Sequence, residues 1–401
     1  MPAPLHSFPS PDCPGLGDDR RRMALYESGM TSQALDYITV KGFKSIASID
    51  QLALRPINVL IGANGAGKSN FIGTFSFLRA ITEGRLQTYV RESGGADQIL
   101  HFGAKTTKEI TIEIGFREAI NRYVLALRPT QDDSLFPESE LVPPSNKIDR
   151  LPGKYVSLRP QNNGLEAGIS NRNVTGIASW VRHRLSQWQV YHVHDTGGSS
   201  PMRKTAKLDD NGFLRADGSN LPSFLYRLQR KHSDTYELIR RTVQRVAPFF
   251  DDFNLAPDPL NEEAIRLAWR HKNSDQYFGA SALSDGSLRF IILATLFLQP
   301  VELRPSVILV DEPELGLHPS AIALLAALVK QASIETQVIL STQSALLLDH
   351  FDPEDILVAE RDGGSTSVKR LDAKRLEAWL EDYSLGELWE KNELGGRPAP
   401  E

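Results

Sequence analysis

The chain has one cysteine, Cys13, among 401 residues. With no second thiol to pair with, an internal disulfide framework and a thiolate zinc site are excluded, and a reducing, cytoplasmic setting fits. Long apolar runs are missing too. The segments Phe290 to Leu298 and Ile322 to Val329 fall well short of the roughly 18 residues a bilayer span needs. They read as core, and no membrane partner is expected. No apolar stretch follows the arginines at 20–22, so the N-terminus reads as neither a signal peptide nor a twin-arginine leader. Residues 1–31 are Pro-rich and read as a disordered extension. No internal repeat is evident, and no heptad run is long enough for a coiled-coil arm.

What is present is ordinary for a globular protein, with 41% hydrophobic and 24% charged residues. The formal charge of −5 is unevenly spread, because Arg150 to Phe250 holds 16 Lys/Arg against 7 Asp/Glu. A local positive surplus fits an anionic partner, and Arg203, Lys204, Lys207, Arg240, Arg241 and Arg245 are the candidate phosphate contacts.

Hydrophobic periodicity predicts an α/β fold in several segments. Residues 32–152 open with strands and a strand-loop-helix unit. A period-two hairpin follows, Glu109–Phe116 with Arg122–Arg128, then a Pro- and Asp-rich loop over 129–152. Residues 153–274 read as an inserted α+β middle region with helices near 174–188, 219–232 and 234–247. Residues 275–371 alternate helix and buried strand again, and 372–401 form a helical tail.

The strongest motif is "GANGAGKS", Gly62 to Ser69, which fits G-x-x-x-x-G-K-S between a strand and a helix. Its glycines turn backbone N–H groups onto phosphates at the positive end of the helix. Gly62, Asn64, Gly65, Gly67, Lys68, Ser69 and Asn70 are therefore the candidate ATP contacts, with Lys68 on the β- and γ-phosphates and Ser69 on Mg²⁺. In "VILVDEPELGLHP" the apolar strand ends in Asp311, a second metal ligand, and Glu312 follows as candidate general base.

The order of P-loop, "LSDGS" (Leu283 to Ser287), Asp311-Glu312 and "GLHP" resembles the ATP-binding-cassette (ABC) heads of RecF- and SMC-like ATPases, as do "GFKSI" and "NVLIGANGAGKSN". The resemblance implies an ABC-type P-loop ATPase head with a mixed sheet. It also implies a second copy of the chain, because the family's signature motif covers the γ-phosphate held by the partner subunit. Ser284 and Gly286 are the signature residues that would approach it. Two further roles follow from the resemblance alone. Gln98 would be the glutamine that senses metal and water, and Gln343 would stand where relatives carry a switch histidine on the γ-phosphate, which implies a slow ATPase. DNA repair or anti-phage defence is the implied setting, with DNA as partner. The alternative is an ATP-dependent scaffold for a separately encoded effector nuclease.

His192 and His194 lie two apart on an expected strand and could share a metal. With no third ligand identifiable, simple strand alternation accounts for them.

Overall fold

The computed structural model describes residues 34–117, 120–143 and 156–396. The expected disordered extension at 1–31 and the expected boundary at 152/153 lie outside the described residues.

Two six-stranded sheets organise the chain. The first is antiparallel, in the order Ile46–Ala53, Leu35–Phe43, Ile110–Phe116, Asn121–Pro129, Leu135–Val142, Val156–Ser157. Its fifth strand falls inside the segment 129–152 expected to be a loop. Pro137 cannot donate to a ladder, and pairing survives because the register shifts between Ala126 and Leu127, beside the Leu127↔Pro137 pair.

The second sheet is mixed, in the order Ser365–Arg370, Ile356–Asp362, Ile57–Ile61, Gln337–Ser341, Val307–Asp311, Gln189–Tyr191. All of its neighbouring pairs are parallel except the hairpin formed by Ile356–Asp362 and Ser365–Arg370. Both faces are covered, which is why the central strands are almost wholly apolar, with the buried Asn58 bonded to the Arg55 backbone. Val307, Leu309 and Ile339 face one core with the helix Lys68–Thr82 and the antiparallel sheet. Ile308, Val310, Val338 and Leu340 face the other, with the helices Asp285–Leu298 and Pro319–Ala332. The run Leu288 to Leu298 is buried all round, as a helix between layers must be.

The edge strand Gln189–Tyr191 comes from the residues expected as an insertion, and its pairing with Val307–Asp311 ties them into the mixed sheet. The rest of that region holds the helices Gly176–Ser186, Leu221–Lys231 and Ser233–Val246, close to the expected ranges, and contributes to two three-stranded sheets. Among the described residues, no helix is long and apolar enough to cross a membrane.

Candidate functional site

The buried strand Ile57–Ile61 delivers the P-loop at its C-terminal end. Two glycines there are required by close approach as well as by backbone angle. A Cβ on Gly62 would lie 2.5 Å from the Ala359 carbonyl oxygen, and one on Gly67, where φ is +99°, would strike the Thr366 hydroxyl. The hairpin Ile356–Arg370 thus presses on the loop from outside. Thr366 Oγ1 donates to the Ala66 carbonyl at 2.9 Å and shares a hydrogen bond with the Ser45 hydroxyl at 2.8 Å. Asn70, expected as a nucleotide contact, donates through Nδ2 to Ser45 Oγ at 2.7 Å and so ties the start of the helix to the neighbouring strand turn. The tail reaches the same loop, since the Ala63 N–H donates to the Gly396 carbonyl at 2.6 Å.

Asn64, Gly65 and Ser69 are exposed on the loop, and no side chain caps the helix Lys68–Thr82 or places an acid in its first turn. Its positive end therefore faces outward, as anion binding requires. Lys68 is buried, and its ammonium donates to the carbonyls of Gly62 at 2.8 Å and Ala63 at 3.1 Å. Burial lowers its pKa, opposed by the nearby carboxylates of Glu312, Asp311 and Glu314. Lys68, Asp311 and Glu312 thus lie at the same, C-terminal end of the parallel strands. The Asp311 carboxylate and the Ser69 hydroxyl, next to Lys68 in the chain, are oxygen donors of the kind Mg²⁺ takes.

Asp311 lies opposite Ser341 in the parallel register and accepts a hydrogen bond from its hydroxyl. Glu312 then turns into left-handed backbone at φ +43°, with its N–H bonded to the Ser341 carbonyl at 2.9 Å. A non-glycine residue in that region is uncommon and costs energy, which the bond to Ser341 helps to offset. The Gln343 amide donates to the Glu312 carboxylate, a link that spacing alone does not reveal. Behind them, Glu314 is buried and accepts from Thr342 Oγ1 at 2.5 Å and from the Gln343 N–H at 3.3 Å. Burial raises its pKa. Sequence reasoning missed Glu314, whose only signal was a third acid in "DEPE".

Because Gln343 positions Glu312, Gln343→Ala is expected to lower ATP turnover about tenfold, as removal of one charge-assisted hydrogen bond would. ATP affinity should change little, and Gln343→His should preserve or raise the rate. Steady-state phosphate release with titrated ATP checks this, and an unchanged rate for the alanine variant would refute the role.

The signature segment is built around two arginines. Ser284 caps the helix Asp285–Leu298, its Oγ accepting from the Ser287 N–H at 3.1 Å. A Cβ on Gly286 would lie 2.5 Å from the Gly316 carbonyl, so this position is packed against the "GLHP" loop. Arg203, expected as a DNA contact, is instead internal, with its side chain 9% exposed. It donates to the carbonyls of Thr196 at 2.8 Å, Ala280, and Leu283 at 3.2 Å, and to Asp285 Oδ1 at 2.8 Å. Arg289, 4% exposed, donates to the carbonyls of Val193 at 2.8 Å and His194 at 3.0 Å. Among the described residues, no hydrogen bond joins 280–289 to the P-loop 62–70.

Gln98 lies exposed on the short helix Ala96–Ile99, and no hydrogen bond of its side chain reaches Asp311 or the P-loop among the described residues. The groups found beside Asp311 are His192 and His194, whose ligand atoms and a carboxylate oxygen of Asp311 all lie within 4.8 Å of one another. Burial lowers the pKa of His192, the Asp311 carboxylate raises it, and His194 lowers it further. Of the other basic candidates, Arg240 and Arg241 both bind the Glu237 carboxylate, at 2.7 and 2.6 Å, while Lys204, Lys207 and Arg245 are exposed.

Residues 57–349 match the family described as "AAA domain, putative AbiEii toxin, Type IV TA system". Among curated proteins, Urease accessory protein 2 of Cryptococcus neoformans var. grubii is 36% identical over 92 residues, 21% of this chain. The chain spans only 7% of that relative's length. Among solved structures, an Smc head bound to the C-terminal winged-helix domain of ScpA aligns with a TM-score of 0.56 at 16% identity, over 86% of this chain and 99% of that one. The Smc head domain with an extended coiled coil from Pyrococcus furiosus, bound to the C-terminal domain of ScpA, aligns at 0.57 and 14% identity, over 87% and 98%. At these identities the likeness is one of fold.

Proposed function

Given that the chain belongs to this AAA domain family and has the fold of an SMC-type ABC head, we propose that it hydrolyses ATP and that two copies close on two nucleotides to act on DNA. The observation that carries the reading is that the strands Ile57–Ile61 and Val307–Asp311 both run parallel to Gln337–Ser341 between them, so the P-loop and the Asp311-Glu312 pair leave the same end of the sheet. The P-loop N–H groups and Lys68 hold the β- and γ-phosphates, and Lys68 leaves its loop carbonyls to do so. Ser69 and Asp311 would hold Mg²⁺, which supplies positive charge against the phosphates. A water oxygen attacks the γ-phosphorus, the bond to the ADP oxygen breaks, and Glu312, oriented by Gln343, accepts the water's proton.

Dimerisation is supported by the absence, among the described residues, of any hydrogen bond between the signature and its own P-loop. Ser284 and Gly286 are braced by Arg203 and the Gly316 loop, which leaves the start of the helix Asp285–Leu298 to meet a phosphate on a second copy. DNA is the partner that best fits the positive middle region, with Lys204, Lys207 and Arg245 as the contacts. DNA repair or anti-phage defence is the setting that the resemblance to RecF-like ATPases implies.

Light scattering tests the reading. A dimer is expected with Mg-ATP under non-hydrolysing conditions and a monomer with Mg-ADP, and a protein that binds ATP yet stays monomeric would overturn dimerisation. In DNA titrations, neutralising Lys204, Lys207 and Arg245 together should reduce the log–log salt slope by about one unit for each phosphate-binding cation removed. An unchanged slope, or no DNA binding at low salt, would make this face a protein-docking surface, as the scaffold for an effector nuclease requires.

A further inference from the structure

The strand Gln189–Tyr191 runs parallel to Val307–Asp311, with Tyr191 opposite Val310, so the residues just beyond it emerge beside Asp311. Past Tyr191 the chain leaves the strand and turns, with Val193 buried in the core, His192 exposed and His194 half-buried. Their ring centroids are 6.4 Å apart and the planes are inclined by 37°. The backbone beneath them is held by Arg289, and the Thr196 N–H adds a 3.0 Å bond to the His194 carbonyl. One Asp311 oxygen takes the Ser341 hydroxyl, which orients the carboxylate toward the pair.

We propose that His192, His194 and Asp311 bind a divalent first-row transition cation of the Mn²⁺ to Zn²⁺ series, through two imidazole nitrogens and one carboxylate oxygen. The donor set decides the class of ion. Mg²⁺ takes oxygen ligands in a strict octahedron and gains little from imidazole, whereas two imidazoles and a carboxylate suit Mn²⁺, Fe²⁺, Co²⁺ and Zn²⁺. A cation bonded at about 2.0–2.1 Å sets its ligand atoms roughly 3.4 Å apart. The present spread of up to 4.8 Å closes by side-chain rotation, for which His192 is exposed and His194 half-buried. The third ligand comes from a strand more than a hundred residues away in sequence, and only the sheet order supplies it.

The site shares Asp311 with the proposed nucleotide centre but needs neither the P-loop nor ATP, which separates the two in experiment. Untagged full-length protein, stripped with chelator, is titrated with Co²⁺ without nucleotide and followed by visible absorption. One Co²⁺ per chain is expected, with imidazole-type d–d bands that persist in excess Mg²⁺. His192→Ala and His194→Ala should each weaken Co²⁺ binding at least about tenfold, given the 10- to 100-fold cost of losing even an outer partner of a ligand. Lys68→Ala, which removes a cation near Asp311, should bind Co²⁺ at least as tightly as wild type, the control His350→Ala should bind as wild type does, and His192→Gln repeats the test with a side chain of similar bulk. The proposal is overturned if wild type binds no stoichiometric Co²⁺, or if folded His192 and His194 variants, checked by thermal melting, bind it unchanged. If wild type hydrolyses ATP but binds no Co²⁺, only this inference falls. If Lys68→Ala keeps Co²⁺ while wild type shows no ATP turnover, only the ATPase reading falls.

Discussion

Glu312→Gln is expected to lower ATP turnover by at least about a hundredfold, the lower bound of what a positioned general base contributes, while ATP stays bound and the dimer persists. The substitution keeps the shape of the side chain and removes its capacity to take a proton. The backbone turn at φ +43° and the N–H bond to the Ser341 carbonyl do not depend on the carboxylate, so the segment should hold its position. The Gln343 amide can still donate to the new amide oxygen. Lys68 is left with two of its three neighbouring carboxylates, which favours rather than hinders an incoming polyphosphate. The expected outcome is therefore a trapped, nucleotide-filled state rather than a weak binder. Phosphate release measures the rate, and light scattering in Mg-ATP measures the dimer. A rate within threefold of wild type would remove Glu312 from the proton transfer.

Much of the site is legible in sequence because its parts are local. A glycine loop between a buried strand and a helix, and two acids closing an apolar strand, each declare their geometry within a dozen residues. The fold class follows from the same segments. What escapes is set by neighbours across the sheet. Gln98 fits a family expectation by residue type, yet the strand beside Val307–Asp311 ends next to His192, and no periodicity within either segment encodes that adjacency. The strand Leu135–Val142 is hidden by Pro137, whose cost the register shift absorbs. The charge surplus is real, but counting cannot separate a guanidinium facing water from one buried on carbonyls, and Arg203 is of the second kind. Glu314 reads as one more surface acid until burial against Thr342 sets it apart.

Arg203→Ala is expected to destabilise the protein by about 2–4 kcal/mol, because a nearly buried guanidinium leaves several carbonyls and one carboxylate without their donor. The same change should abolish ATP-dependent dimerisation while leaving ATP affinity at the P-loop within a few-fold of wild type. The reason is geometric. Arg203 joins the carbonyls of Thr196, Ala280 and Leu283 to the Asp285 carboxylate, so it fixes the turn that presents Ser284 and Gly286. None of those bonds touches the P-loop. Arg203→Lys should recover only part of the effect, since an ammonium cannot reproduce a planar fork of donors. Asp285→Asn, which alters the 62% exposed end of the ion pair, should cost less than about 1 kcal/mol. Thermal melting, fluorescent-nucleotide titration and light scattering give the three readouts. If Arg203 were a DNA phosphate contact, its alanine variant would melt as wild type does, dimerise normally and bind DNA more weakly. That pattern would return it to the surface set with Lys204 and Lys207.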